Sequence, residues 1–78
     1  MEQQKKNKEA LEIFKMNYSK NPKAFTTIMG MARGLSATGD YKNALKYAQQ
    51  ALLLAPDQQN KSNIETMISK LKEGKDGN

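Results

Sequence analysis

The residue types that carry out chemistry are sparse in this chain of 78 residues, which has no histidine and no cysteine. It therefore lacks an imidazole base, a thiol nucleophile, a disulfide and a Cys/His metal site. The carboxylates show no paired arrangement with a base or a nucleophile, and no glycine-rich loop precedes a helix to hold phosphate. These carboxylates are those of Glu9, Glu12, Asp40, Asp57 and Glu65. We predict no enzymatic activity, no metal and no cofactor.

Positive charge is the second chemical feature, with thirteen basic residues and a net charge of +5. The basic residues are spread along the chain and cluster only near its ends, in 5–8 and 70–75. Arg33 is the single arginine, and no aromatic residues alternate with a basic run, as they do in many nucleic-acid sites. This pattern favours solvated helix faces over a phosphate-binding patch, and nucleic-acid binding through the basic ends is the weakest hypothesis.

A short repeat gives the strongest clue to architecture. Lys8-Glu9-Ala10-Leu11 and Lys42-Asn43-Ala44-Leu45 lie 34 positions apart, and each is followed at the same distance by a proline, Pro22 and Pro56. A fixed period of this size is typical of stacked helical hairpins. The repeat therefore predicts a binding surface rather than a catalytic pocket.

Apolar spacing predicts an all-α single domain over 1–78, with four antiparallel helices at about 4–19, 22–38, 41–55 and 62–73. Asn21-Pro22 is expected to open the second helix, and Gly39 to end it. Asp40 is expected to cap the third helix, and Ser62 and Glu65 to form a capping box for the fourth. Residues 1–3 and 74–78 are predicted to be disordered.

Two glycines, Gly30 and Gly34, fall inside the second predicted helix, where each costs roughly 1 kcal/mol relative to alanine. Their spacing permits two interpretations. Either another backbone approaches the helix closely at this point, or the glycines are tolerated on an exposed or groove-facing side.

These residues resemble the tetratricopeptide repeat family, most clearly over 25–58. The match rests on core positions of the first helix, the turn Gly39-Asp40-Tyr41, and small or apolar positions of the second helix: Ile28, Met31, Ala32, Leu35, Ala44, Ala51, Leu52, Leu54 and Pro56. Ala10, Leu11, Phe14 and Pro22 resemble the end of a preceding unit. The resemblance covers about one and a half repeats plus a terminal helix. Ala48 departs from the family, which has a large aromatic there.

The fourth helix is predicted to be out of register by two residues, because Ile28 follows Pro22 by six positions and Ile64 follows Pro56 by eight. We therefore expect it to be a capping helix. The resemblance implies a concave groove that binds a protein or peptide partner. Its candidate residues, with the two-residue shift applied to the last helix, are Thr26, Met29, Arg33, Ser36, Ala37, Glu65, Ser69 and Lys72.

The first helix lacks a hairpin partner, so part of its face bearing Leu11, Phe14 and Tyr18 is expected to be bare. Three explanations fit: a homodimer through this face, a C-terminal piece excised from a larger protein, or a stack that is just stable enough. Excision is the favoured expectation, since the sequence is similar to repeat pairs that end larger bacterial proteins. The second function hypothesis is thus a structural or dimerising appendage without a separate ligand.

No stretch is long and apolar enough to cross a membrane, so no membrane association is predicted. The partner and the compartment are not fixed by composition. The cytoplasm is the default expectation, and the periplasm or secretion would apply to a piece of a longer chain.

Overall fold

A computed structural model describes residues 2–77, and these residues form four helices: α1 (Glu2–Lys20), α2 (Phe25–Ala37), α3 (Tyr41–Leu54) and α4 (Gln58–Lys72). The prediction of an all-α chain with four helices is confirmed. Each helix packs on the next one in the chain. Because the connections are only a few residues long, neighbouring helices run antiparallel.

The core lies where α3 meets its neighbours. Ala44, Ala48 and Ala51 form a stripe along α3 with no exposed surface, and Ile64 of α4 is 1% exposed. The other buried apolar side chains are Leu11, Ile28, Met31, Ala32, Leu35, Met67 and Leu71. A stripe of alanines lets neighbouring helices approach closely, so the α3 side of this core consists of small side chains.

The contact between α1 and α2 explains the two glycines inside α2. A Cβ on Gly30 would stand 3.0 Å from Cδ1 of Phe14, and one on Gly34 would stand 2.8 Å from Cδ2 of Phe14 and 2.9 Å from Cδ1 of Leu11. A backbone approaches at Gly34, where the added Cβ would stand 3.4 Å from Cα of Leu11. Gly30 meets only the ring of Phe14 and also lines a cavity beside it, so the groove-facing interpretation fits that position.

Two helices end in the same way, at Gly39 and at Gly74. Both glycines have a positive φ, 90° and 76°. After α2, the amide of Gly39 donates to the carbonyl of Ser36 and that of Asp40 to Leu35. After α4, the amide of Gly74 donates to Leu71 and that of Lys75 to Lys70. These paired bonds define the Schellman motif, in which glycine reverses the chain direction.

The predicted start of α2 at Pro22 is wrong. Pro22 lies in a turn closed by the amide of Ala24, which donates to the carbonyl of Asn21. The hydroxyl of Thr27 donates to the carbonyls of Asn21 and Ala24 and so holds this turn against the first turn of α2. The helix consequently begins at Phe25.

The predicted start of α4 at Ser62 is also wrong. Asp57 caps this helix, because its carboxylate accepts from the amide of Asn60 at 2.8 Å. An aspartate directly after Pro56 satisfies an orphan amide one turn before the expected capping box could, so α4 begins at Gln58. The predicted cap of α3 is correct, since the side chain of Asp40 accepts from the amide of Asn43.

The segments expected to be disordered are placed as follows. Glu2 and Gln3 belong to α1. Residues 75–77 follow the turn at Gly74 and contact α2 through hydrogen bonds to Ser36. Met1 and Asn78 lie outside the described residues.

Candidate functional site

The outer face of α2, between α1 and α4, carries the first part of the candidate site. Thr26, Met29 and Arg33 lie on this face, and they line two adjoining cavities of about 260 and 310 Å³. Phe14 of α1 lines the first cavity. The three candidate residues at the centre of the predicted stripe therefore do share one surface.

The facing wall is formed by residues of α4 that the sequence analysis did not select. Asn60 lines the first cavity, and Asn63 and Met67 line the second. We call the surface formed by Thr26, Met29, Arg33, Asn60, Asn63 and Met67 the α2–α4 groove.

The two walls of the α2–α4 groove are related by the sequence period. Asn60, Asn63 and Met67 follow Thr26, Met29 and Arg33 by 34 positions each. The 34-residue period, applied to α4 without a shift, therefore predicts Asn60, Asn63 and Met67 from the sequence.

The predicted α4 residues Glu65, Ser69 and Lys72 lie elsewhere, and this part of the prediction is wrong. They line a cavity of about 310 Å³ between α3 and α4, together with Leu52 and Ile68. A shift of two residues turns a helix by roughly 200°, which exchanges its faces. The shift had been inferred by matching Ile64 to Ile28. However, α4 buries its stripe against the preceding helix α3, whereas Ile28 belongs to a helix packed on both sides.

The last two α2 candidates are engaged within the chain. Ser36 is 1% exposed and bonds to segment 75–77. The carbonyl of Ala37 accepts from the side-chain amide of Asn7 at 3.2 Å, which ties the end of α2 to α1. Ser36 therefore presents no open surface, and Ala37 is half-buried.

The proposed self-association face on α1 packs largely within the chain: Leu11 is buried, whereas Phe14 and Tyr18 are half-buried. Leu11 is 8% exposed, and Phe14 packs on Gly30 and Gly34. The ring of Tyr18 meets that of Tyr47 edge to face, with centroids 5.3 Å apart. The exposed apolar side chains of α1 lie on its opposite side: Ile13 at 58% and Met16 at 61%.

The repeated segments of α1 and α3 differ in burial. Ala44 is fully buried and Ala10 is half-buried. The cause is position in the stack, because α3 packs between α2 and α4, whereas α1 packs on α2. Both helices end in the same register, at Lys20 and Leu54, which are 34 positions apart.

Several of the charged side chains have structural roles, as helix caps or in ion pairs. Asp40 and Asp57 cap helices, and Glu12 and Glu73 pair with Lys15 and Lys75. Burial raises the pKa of Tyr47, and the neighbouring Tyr18 raises it further. Within residues 2–77 there is no cluster of three His, Cys, Asp or Glu side chains that would hold a metal ion.

A further cavity is apolar and lies away from the α2–α4 groove. It measures about 350 Å³ and is lined by Pro22, Ile28, Leu53 and Leu54 among others. Leu53 is 87% exposed. This cavity shares no lining residue with the two cavities of the α2–α4 groove, so it is a separate surface.

No known protein family, curated protein or solved structure matches the chain. Across residues 2–77, the helices are either too short or too polar to cross a membrane.

Proposed function

We propose that this chain is a non-catalytic helical-repeat module, of the tetratricopeptide type, that binds a protein or peptide partner along the α2–α4 groove. The observation that carries the proposal is the matched pairing across the groove. Three residues of α2 and three of α4, each 34 positions apart, line the same two adjoining cavities. A repeat that reuses the same positions on neighbouring helices builds one continuous binding face.

The side chains of the groove suit an extended peptide. Met29 offers adaptable apolar contact, and Met67, which is 5% exposed, lines the cavity from the core side. Asn63 carries an amide that donates and accepts, as a peptide backbone requires, while the side-chain amide of Asn60 also donates to Oδ1 of Asp57. Arg33 adds a guanidinium for a carboxylate. This mixture of apolar and polar groups supports recognition of a peptide rather than conversion of a substrate.

A displayed library of random peptides tests this function without knowledge of the partner. Peptides selected on the wild-type chain are measured against Arg33→Glu and against Lys72→Glu, which makes the same change of charge on the α3 side of α4. We expect Arg33→Glu to weaken binding by about tenfold and Lys72→Glu to leave it unchanged. Peptides that bind both variants as well as the wild type, or a library without binders, would exclude the α2–α4 groove as the binding surface.

A second candidate is a structural appendage that dimerises, and the exposed Ile13 and Met16 of α1 favour it. These side chains are one helical turn apart and point away from the core. Because Phe14 is packed against α2, the informative variant is Met16→Asp, which leaves the core intact. Sedimentation of the wild-type chain should then show a dimer that Met16→Asp converts to a monomer. A monomeric wild-type chain removes this candidate.

A further inference from the structure

One end of the α2–α4 groove is occupied by the chain itself. The hydroxyl of Ser36 donates to Oδ1 of Asp76 at 2.6 Å and accepts from the amide of Gly77 at 2.7 Å. With Ser36 only 1% exposed, segment 75–77 satisfies both the donor and the acceptor of a buried hydroxyl. This is a defined docking site for two consecutive residues.

The second of these residues, Gly77, has little room for a side chain. A Cβ on Gly77 would stand 2.6 Å from Cγ of Met67 and 3.2 Å from the carbonyl oxygen of the same residue. The side chain of Met67 can move, but the backbone carbonyl cannot do so without displacing α4. Met67 is also a wall residue of the α2–α4 groove.

The docked segment borders the open part of the groove. Gly77 lines the cavity of about 310 Å³ together with Met29, Arg33, Asn63 and Met67. Arg33 lies one helical turn before Ser36, so its positive charge is near the position at which Ser36 holds a carboxylate.

We propose that the α2–α4 groove recognises a peptide containing an aspartate followed by glycine, and that segment 75–77 is an intramolecular occupant which such a peptide must displace. This inference rests on the proposed function of the groove and specifies the chemistry of its partner. A carboxylate is favoured because a hydroxyl bonds to a charged acceptor more strongly than to a neutral one. Glycine is favoured because a Cβ at this position would stand 2.6 Å from Cγ of Met67.

Segment 75–77 competes with a free peptide for the same site, and this competition lowers the apparent affinity for the peptide. Segment 75–77 is joined to α4 by a short turn at Gly74, so its effective concentration is in the millimolar range. A free peptide of the same sequence competes poorly with this occupant. Releasing the segment should therefore increase the affinity for free peptide by about five- to tenfold.

The first experiment measures the docked state in the full chain by amide hydrogen exchange. The amide of Gly77 should be protected in the wild type and should lose its protection in Ser36→Ala. Exchange of Gly77 at the rate of an open chain in the wild type overturns the proposal.

The second experiment titrates a peptide with the sequence of residues 72–78 into the ¹⁵N-labelled full chain carrying Asp76→Ala and Gly77→Ala. This double variant keeps every residue of the helices and frees the site. We expect shifts at Ser36, Arg33 and Met67, and weaker or no shifts in the wild-type chain. Peptides carrying Asp76→Asn or Gly77→Ala should bind at least about tenfold more weakly.

The outcomes separate the two proposals. If the freed chain ignores the peptide while library-selected peptides still depend on Arg33, the aspartate-glycine specificity is wrong and the groove remains a binding surface. If neither kind of peptide binds, both proposals are wrong. Equal affinity of the wild type and the double variant for the peptide also overturns the role of segment 75–77 as a competitor.

Discussion

The ring of Phe14 lies against the backbone of α2 at Gly34, where Cδ2 of the ring is 2.8 Å from the position that a Cβ would take. The same ring also contacts Gly30. The positions 34 residues after Phe14 and Gly30 are occupied by Ala48 and Ile64, which are both buried in the core. In the first pair the large residue is on α1 and the small one on α2. In the second pair the small residue is on α3 and the large one on α4. This exchange explains why position 48 carries a small side chain where position 14 carries a large one.

The contact predicts that Gly34→Ala destabilises the chain although alanine favours helix. The gain in helix propensity is about 1 kcal/mol, whereas overpacking costs roughly 1–3 kcal/mol. Because Leu11 and Phe14 both meet the new methyl group, we expect the overpacking to dominate. Urea denaturation measures the change, and Phe14→Leu in the same chain should recover part of the loss. A Gly34→Ala variant more stable than the wild type would contradict the packing.

The start of α4 can be tested by two substitutions that distinguish its two candidate caps. Asp57→Ala should lower the free energy of unfolding by about 1 kcal/mol, because it removes the bond to the amide of Asn60. Ser62→Ala should change it by no more than about 0.5 kcal/mol, since Ser62 lies inside the helix. The reverse order of the two effects in urea denaturation would place the start of α4 at Ser62.

The turn at Gly74 predicts a local effect on segment 75–77. Gly74 has a φ of 76°, a conformation that costs an alanine roughly 1–2 kcal/mol. In Gly74→Ala we expect the amide of Gly77 to lose protection from hydrogen exchange while the amides of α3 keep theirs. Gly39→Ala is the matched comparison, because Gly39 has the same left-handed conformation between two core helices. It should instead lower the protection of the whole chain.

The pair Tyr18 and Tyr47 predicts a loss of stability at alkaline pH. Burial and the neighbouring Tyr18 raise the pKa of Tyr47 above its ordinary value of 10.0. The unfolded state therefore loses this proton first, so the stabilisation is complete below pH 10 and declines as the pH rises above it. Thermal unfolding measures the decline at pH values between about 8 and 11.5, a range that lies on both sides of the ordinary tyrosine pKa of about 10.

Tyr47→Phe removes the titrating group and should flatten this pH dependence. Tyr41→Phe leaves the pair of Tyr18 and Tyr47 intact and serves as the control. An alkaline decline that is equally steep in Tyr47→Phe and in the wild type would assign the effect to other groups.

Much of the fold was predictable, because amphipathic spacing and glycine ends depend on neighbouring residues alone. The cap at Asp40 and the end at Gly39 followed from local rules. The start of α2 did not, because proline is compatible with both a first helical turn and a preceding loop, and the hydroxyl of Thr27 favours the loop.

The candidate site was predictable on α2 and not on α4. The residues Thr26, Met29 and Arg33 were found because α2 is packed on both sides, so its outer stripe is the one left over. For α4 the apolar stripe indicates burial without telling which neighbour covers it. Matching Ile64 to Ile28 therefore selected the wrong face, and the plain 34-residue period selects the right one.

Segment 75–77 was missed for a different reason. A stretch with two glycines and no apolar residue is typical of disorder when composition alone is considered. Its placement depends on one buried hydroxyl of Ser36, some 40 positions away, and on the reversal at Gly74. Long-range polar contacts of this kind leave no periodic signal.

The stripe of fully buried alanines on α3 has a mechanical consequence. Side chains that end at Cβ have no rotamers to change, so the α3 side of the core cannot adapt by repacking its side chains. A change in the width of the α2–α4 groove is then expected to come from a tilt of α4, which follows the bend at Pro56. The α4 side of the groove would move, while the hairpin of α1 and α2 keeps its position.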